Sequence, residues 1–288
     1  MINELSLHQQ CPCCESVRLK NKYVVQGYTI TVCTDCSVLF VRNVLTVGVL
    51  QEYYRDLEAN LVYEEENKNF LDRYYRRVIN EVDIIRNDNQ KGAILDVGCS
   101  AGYFLQQMVG WERYGVEISR KYADKAKAKF GDSIVWGSFE DYPTRKAYFD
   151  VITLQDSFDH MVDPYSVLVK CRENLKKGGL IVIKVHNISC LWAKLTGRNF
   201  YAILPPMHLF YFSEKPLKEL LKRTGYRYLK KRFFGQVLAL ESVFFRLSLS
   251  GQKKHYYLLY KLIKGTTLGR IPIYKQLNDI ITVFAVRE

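Results

Sequence analysis

The chain has 288 residues, of which 48% are hydrophobic and 25% charged. This composition is that of an ordinary folded protein, and it excludes disordered, collagen-like and low-complexity classes. No stretch reaches the ~18 uncharged apolar residues of a membrane span, and the first ten residues lack the basic start and apolar run of a signal peptide. We therefore expect a soluble, cytoplasmic protein whose eight Cys are metal ligands or free thiols rather than disulfides.

The net charge of +12 is unevenly distributed along the chain. Residues 213–288 carry 16 Lys/Arg against 5 Asp/Glu, whereas the first 212 residues carry 26 against 25. A basic C-terminal quarter predicts an anionic partner, which can be a substrate, a nucleic acid or a membrane surface.

Two pairs of cysteines near the N-terminus have the spacing of a metal site. The pattern is C-x2-C-x18-C-x2-C, formed by Cys11, Cys14, Cys33 and Cys36, with Cys13 as a competing thiol inside the first pair. Short predicted strands at 22–25, 29–33 and 38–41 bring the two pairs together. Four thiolates complete the tetrahedral shell of Zn²⁺, so we expect a structural zinc-ribbon head over residues 1–45.

The segments after the head read as helices and then as alternating strands and helices. Residues 46–92 form a predicted helical linker, with helices at 50–57 and 67–86. Between 93 and 185 strands and helices alternate, which predicts a parallel sheet covered by helices on both faces. The predicted strands are 93–97, 113–117, 134–136, 149–154 and 180–185. We expect an α/β domain over 93–288 with an insertion at about 235–279, in which residues 236–248 and 256–264 read as helices.

A glycine-containing loop follows the first strand of this α/β region. Its spacing is D-x-G-x-x-x-G, with Asp96, Gly98, Cys99 and Gly102. The glycines let the backbone turn sharply and approach a ligand closely. An acidic strand end repels pyrophosphate and suits a positively charged ligand such as an amine or a sulfonium.

Polar and aromatic residues also stand at the ends of the following strands. Glu117 and Ile118 end the second strand, Ser138 and Phe139 follow the third, and Gln155 follows the fourth. A carboxylate at the end of the second strand can accept both ribose hydroxyls of an adenosine-type ligand. Ligands of open α/β sheets bind at this edge.

The stretch from Ala93 to Val185 resembles class I S-adenosylmethionine-dependent methyltransferases, which implies a Rossmann-like, seven-stranded sheet. The matching motifs are Asp150–Leu154, His160–Pro164 and Leu175–Gly179. The resemblance extends over roughly residues 11–234 to a subgroup with a zinc-ribbon head, through the cysteine pairs, a Tyr-rich helix with Tyr53, Tyr54 and Tyr63, and the run Met207–Ser213. Members of that subgroup act in bacterial polysaccharide and secondary-metabolite pathways, and some methylate nucleotide-linked sugars.

The resemblance implies roles for individual residues. Asp96, Gly98 and Gly102, with Cys99 between them, would line the methionine part of the cofactor. Glu117 with Ile118 would hold the ribose, Ser138 and Phe139 the adenine, Gln155 would lie at the same edge, and Tyr63 would cap the pocket. Ser100 stands where many members have Gly, and a serine costs little at this position if its φ is negative.

The resemblance also implies a catalytic base. His208 matches the base of sugar C-methyltransferases in the subgroup, but Pro205 and Met207 replace the Tyr and Glu that accompany it there. This departure favours a hydroxyl acceptor. The alternative is that His208 only orders its loop. His160 is the second candidate and His186 a weaker one, because a neutral-range imidazole suits proton transfer.

Three functions compete at this point. The first is methylation of a hydroxyl on a sugar or glycan precursor, linked to a nucleotide or a lipid. The second is RNA methylation, although 11 basic against 13 acidic residues in the first 92 disfavour a nucleic-acid partner. The third is a non-catalytic scaffold. The basic insertion could contact an anionic membrane, form a lid over an anionic acceptor, form a dimer face, or pack as a plain helical pair.

Overall fold

A computed structural model describes residues 5–56, 68–87, 91–249 and 254–288 of the chain. The strands, in chain order, are β1 (Leu5–Leu7), β2 (Leu19–Val25), β3 (Tyr28–Cys33), β4 (Leu39–Val41), β5 (Asn43–Leu45), β6 (Ala93–Val97), β7 (Glu112–Glu117), β8 (Ile134–Trp136), β9 (Phe149–Gln155), β10 (Leu175–His186), β11 (Phe210–Tyr211), β12 (Tyr226–Arg232), β13 (Gln236–Ala239), β14 (Pro272–Lys275) and β15 (Ile280–Arg287). The α-helices are α1 (Val47–Asp56), α2 (Lys68–Arg86), α3 (Tyr103–Gln107), α4 (Arg120–Phe130), α5 (Pro164–Asn174), α6 (Leu191–Thr196), α7 (Glu214–Arg223), α8 (Leu240–Leu249) and α9 (Lys254–Ile263).

The centre of the molecule is a seven-stranded sheet with the strand order β12-β15-β10-β9-β6-β7-β8. The five strands from β10 to β8 run parallel, and β15 is antiparallel to both β10 and β12. Every residue of β6 is buried, as expected for a strand covered on both faces. The prediction of a Rossmann-like seven-stranded sheet is confirmed.

The N-terminal head is a small antiparallel sheet that continues into a distant part of the chain. Its order is β11-β4-β3-β2, so the two-residue strand β11 pairs with β4. The Val41 N–H also donates to the Leu209 carbonyl at 2.8 Å, and Phe40 stacks on Phe210 with ring centroids 6.2 Å apart. Buried side chains of the head and of the central sheet form one hydrophobic cluster, so the head is fixed beside the segment that carries His208.

The C-terminal insertion differs in part from the sequence prediction. Residues 236–239 form β13, not the start of a helix, and they pair antiparallel with β14. A short apolar run does not distinguish strand from helix by periodicity, and here the partner strand decides. The helices α8 and α9 follow as predicted. Within the described ranges, no helix combines the length and apolar character needed to cross a membrane.

Candidate active site

A cavity of about 420 Å³ opens at the carboxyl ends of the parallel strands. This is the edge at which open α/β sheets bind ligands, because the chain diverges there into helices on opposite faces. Predicted site residues that line it are Gly98, Glu117, Ile118, Ser138, Phe139, Gln155, His160 and His208. The structure therefore brings six of the predicted cofactor residues and both candidate bases, His160 and His208, to one cavity. Tyr63 lies outside the described residues.

The loop after β6 depends on glycine at two positions. Gly98 has φ +79°, and a Cβ there would lie 2.7 Å from the Cβ of Ser157. Gly102 has φ +76°, and a Cβ there would lie 2.6 Å from the Phe130 ring. Gly98 thus lets the loop pass close to Ser157 at the cavity wall, whereas Gly102 lets the loop pack against α4.

Three of the predicted cofactor residues are not among the described residues that line the cavity: Asp96, Cys99 and Gly102. The buried Asp96 accepts a hydrogen bond from the Thr153 hydroxyl at 2.5 Å. The Cys99 sulfur would lie 2.6 Å from a Cβ on Gly115, which places it against β7. These residues shape the loop from behind, and their predicted contact with the cofactor stays a prediction.

A negative φ, the condition under which serine costs little at position 100, is not met. The φ of Ser100 is +48°, in the left-handed region that costs a residue with a side chain about 1–2 kcal/mol. In this conformation the Ser100 N–H points at Glu117 and donates to Oε2 at 2.8 Å. The hydrogen bond to a buried carboxylate offsets the backbone cost.

The carboxylate of Glu117 is held in place by hydrogen bonds to both of its oxygens. Its side chain is buried, and its second oxygen, Oε1, accepts the Ser119 N–H at 2.9 Å. Burial raises the pKa of Glu117, and the backbone hydrogen bonds act in the opposite direction. The two oxygens offer about four lone-pair positions, and the group lines the cavity, so it can still accept from the hydroxyls of a vicinal diol.

An apolar slot lies next to this carboxylate. Phe139 is buried and stacks on Tyr142 with centroids 6.1 Å apart. The Ser138 hydroxyl donates to Asp141 at 2.7 Å, and Ile118, Met161 and Val162 add apolar wall. The slot suits a flat heterocycle beside a ribose.

The opposite part of the cavity holds three imidazoles around one buried carboxylate. The ring centroid of His208 lies 4.7 Å from that of His160 and 4.8 Å from that of His186. Asp159 is 1% exposed, and its Oδ2 lies 3.1 Å from His186 Nδ1. Burial opposes ionisation of Asp159, but the hydrogen bond from His186 and the nearby imidazoles outweigh it and hold the Asp159 pKa below its usual range.

Sequence reasoning missed Asp159 and underrated His186. Asp159 directly precedes His160, and His186 ends the neighbouring strand β10. The available signal was an acid next to His160, a few residues after the end of β9, together with a histidine at the end of the neighbouring strand β10.

The tautomer of His208 follows from its backbone contact. Its Nδ1 lies 2.7 Å from the Ala202 carbonyl, which can only accept, so Nδ1 carries the proton and Nε2 the lone pair. Burial, with the His160 ring as the next cause, lowers the pKa of His208 to about 3. His208 is therefore neutral, it orders its loop as the alternative interpretation expected, and it also offers a free nitrogen lone pair.

Cationic side chains complete the wall. Lys184 is buried, forms an ion pair with Asp156 and lies over the Tyr74 ring. Arg246 and Phe245 reach the wall from α8 of the insertion. Of the alternatives for the insertion, this geometry favours a contribution to the lid of the cavity.

The four cysteines of the head converge as their spacing predicts. The Cys11 and Cys36 sulfurs are 3.6 Å apart, those of Cys14 and Cys33 are 3.5 Å apart, and all four lie within 4.8 Å of one another. Sulfurs around a tetrahedral ion with bonds of about 2.3 Å are about 3.8 Å apart. The donor set therefore fits one tetrahedral metal ion.

Comparison with known proteins agrees with this geometry. A family model described as "Methyltransferase domain" matches residues 63–231. The ubiquinone biosynthesis O-methyltransferase of Nitrosomonas europaea is 28% identical over 141 residues, which are 44% of this chain and 59% of that protein. An O-methyltransferase of Penicillium expansum is 26% identical over 163 residues, which are 52% of this chain and 58% of that protein. The matches thus span about three fifths of these relatives.

A solved structure shares the fold. The crystal structure of an S-adenosylmethionine-dependent methyltransferase from Archaeoglobus fulgidus superposes with a TM-score of 0.54 and 22% identity, covering 80% of this chain and all of that one. At this level of identity the likeness concerns the fold alone.

Proposed function

The chain belongs to the methyltransferase domain family, and on this premise we propose that it transfers the methyl group of S-adenosylmethionine to a hydroxyl group of a sugar or glycan precursor linked to a nucleotide or a lipid. The observation that carries the proposal is a single cavity that runs from the buried carboxylate of Glu117 to the imidazoles of His160, His186 and His208. One half suits an adenosine-type donor, and the other half suits an acceptor that must lose a proton.

The donor half would bind the nucleoside by three contacts. Glu117 would accept hydrogen bonds from both ribose hydroxyls, the slot at Phe139 and Ile118 would hold the adenine, and the backbone at Gly98 would approach the amino-acid part. When bound, S-adenosylmethionine supplies an electrophilic methyl group on a positively charged sulfur.

The acceptor half would orient the hydroxyl and remove its proton. His208 Nε2 would accept the proton of the acceptor hydroxyl, so that the acceptor oxygen can take up the methyl group that the bound donor would supply. The ionised Asp159, buried nearby, would stabilise the imidazolium that forms. His186, which forms a hydrogen bond with Asp159 through Nδ1, is the alternative base, and the His160 ring packs against that of His208.

Two observations support the class of acceptor. Pro205 and Met207 stand beside His208 in place of Tyr and Glu, which favours an oxygen acceptor over a carbon acid. The cations Lys184 and Arg246 in the wall suit an acceptor with a phosphate-containing carrier. Because relatives are named ubiquinone biosynthesis O-methyltransferases, a phenolic hydroxyl is the second candidate acceptor.

The cysteine cluster would hold one structural Zn²⁺. All four tetrahedral positions would be thiolates, which leaves no open position for chemistry. Because β4 pairs with β11 directly after Leu209, the metal would also stabilise the segment that carries His208.

The test has two stages on the full chain. Calorimetry measures S-adenosylmethionine binding, and release of S-adenosylhomocysteine is then measured with nucleotide sugars, polyprenyl-linked sugars, phenols and RNA. Turnover with either class of sugar supports the proposal. Turnover with phenols or RNA alone reassigns the acceptor, and zinc-loaded, folded protein that does not bind the donor would support the scaffold interpretation.

A further inference from the structure

The C-terminal insertion carries an unusual combination of charge and exposed apolar surface. Residues 242–278 contain seven Lys/Arg and no Asp or Glu. Among the described residues of this stretch, nine large apolar side chains are exposed: Tyr257, Leu258, Leu259, Leu262, Leu268, Ile271, Ile273, Tyr274 and Leu277. We call these nine residues, together with the exposed cations Lys254, Lys261, Lys264 and Arg270, the insertion face.

The insertion face is held in place from behind. Phe245 of α8 packs on Tyr260 of α9 with centroids 5.2 Å apart, and Phe244 stacks on Tyr256 at 6.3 Å. Ile263 is buried, and Glu241 accepts the Gly265 N–H at 2.8 Å. One side of the helix α9 thus packs against α8, and the side chains on its other side are exposed.

The exposed stripe is apolar at its centre. The side chains of Leu258 and Leu262, one helical turn apart, are 65% and 75% exposed. Lysines on the same helix flank them, at positions 254 and 261. Large exposed leucines on neighbouring turns of a helix are typical of a binding surface, and the lysines beside them favour an anionic partner over a cationic one.

We propose that the insertion face docks on the surface of an anionic lipid bilayer. Leucine and aromatic side chains would enter the boundary between headgroups and acyl chains, while the lysines contact lipid phosphates. An anionic bilayer offers acyl chains that complement the apolar side chains of this face, and negatively charged headgroups that complement its lysines and arginine. The docking does not depend on the methyl-transfer proposal. If both hold, α8, which supplies Phe245 and Arg246 to the cavity wall, would place the cavity beside a lipid-linked acceptor.

The test is co-sedimentation of the full chain with phosphatidylcholine vesicles, with and without phosphatidylglycerol, at low and high salt. We expect binding that requires phosphatidylglycerol and weakens with salt, because exposed charges are screened. Lys261→Glu with Lys264→Glu should weaken binding at least about fivefold for each lysine. Leu258→Glu with Leu262→Glu should abolish it.

Matched variants on other surfaces serve as controls. Leu191→Glu with Leu195→Glu changes two leucines that are each 71% exposed on α6, and Lys20→Glu changes an exposed lysine of the head. Both should bind vesicles like the wild type, and thermal melting should show that all variants are folded.

Three results would overturn the proposal. The first is equal sedimentation with neutral and anionic vesicles, and the second is an equal loss of binding in the control variants. The third is that the wild type does not bind vesicles but is a dimer in light scattering, and that Leu258→Glu with Leu262→Glu makes it monomeric. That result would assign the face to a second copy of the chain.

Discussion

The substitution Glu117→Gln tests the cofactor site directly, because it keeps the volume of the side chain and removes its charge. Both carboxylate oxygens accept a backbone N–H, Oε2 from Ser100 and Oε1 from Ser119. An amide must turn its NH₂ group toward one of these donors. One hydrogen bond is therefore replaced by a contact between two donors.

The magnitude follows from these contacts. A hydrogen bond to a charged group contributes about 1.5–3 kcal/mol, but burial raises the pKa of Glu117, so removing the charge recovers part of its desolvation cost. We expect the free energy of unfolding to fall by about 1–2 kcal/mol, and Tm by about 2–8 °C. Loss of the charged acceptor for the ribose should weaken S-adenosylmethionine binding by about 30–150-fold, or about 2–3 kcal/mol.

Calorimetry and thermal melting measure the two effects. Glu112→Gln is the matched control, because Glu112 lies at the opposite end of the same strand and its carboxylate accepts from the exposed Tyr148 hydroxyl. The control should leave donor binding unchanged. Donor affinity of Glu117→Gln within about threefold of the wild type would refute the role of this carboxylate as a ribose ligand.

Four further outcomes are expected. Ser100→Gly should raise the free energy of unfolding by about 0.5–1 kcal/mol, since glycine adopts φ +48° without a steric cost; a lower Tm would contradict this. His208→Asn keeps a donor to Ala202 and should lower methyl transfer by about 10²–10⁴-fold in steady-state assays. Because the folded pKa of His208 is about 3, only the unfolded chain binds this proton between about pH 6.5 and 3. Wild-type stability should therefore fall on acidification by up to about 1.4 kcal/mol per pH unit, and the slope should be shallower in His208→Asn. Cys33→Ser should abolish binding of one zinc equivalent, measured by metal analysis, and lower Tm; full retention of metal would exclude the four-thiolate site.

The sequence by itself determined the central sheet, most of its helices and the location of the site. The strands β6 and β9 and residues 180–185 of β10 are mostly apolar runs buried on both faces, so local pattern and tertiary environment agree. Parallel strands place their carboxyl ends at one edge, so Glu117 and Gln155 could be assigned to one cavity from their positions alone.

The tertiary structure alone decided features that depend on residues far apart in the chain. The two-residue strand β11 and the strand β13 exist because β4 and β14 pair with them. Segments this short have no periodicity from which a strand could be predicted. The left-handed conformation of Ser100 depends on the carboxylate of Glu117, 17 residues away. The environment of Asp159 likewise depends on distant segments, because His186 at the end of β10 and His208 in a later loop both come close to this carboxylate. Local sequence fixes which groups are present, whereas the packing of distant segments fixes their hydrogen bonds, their protonation and therefore their chemistry.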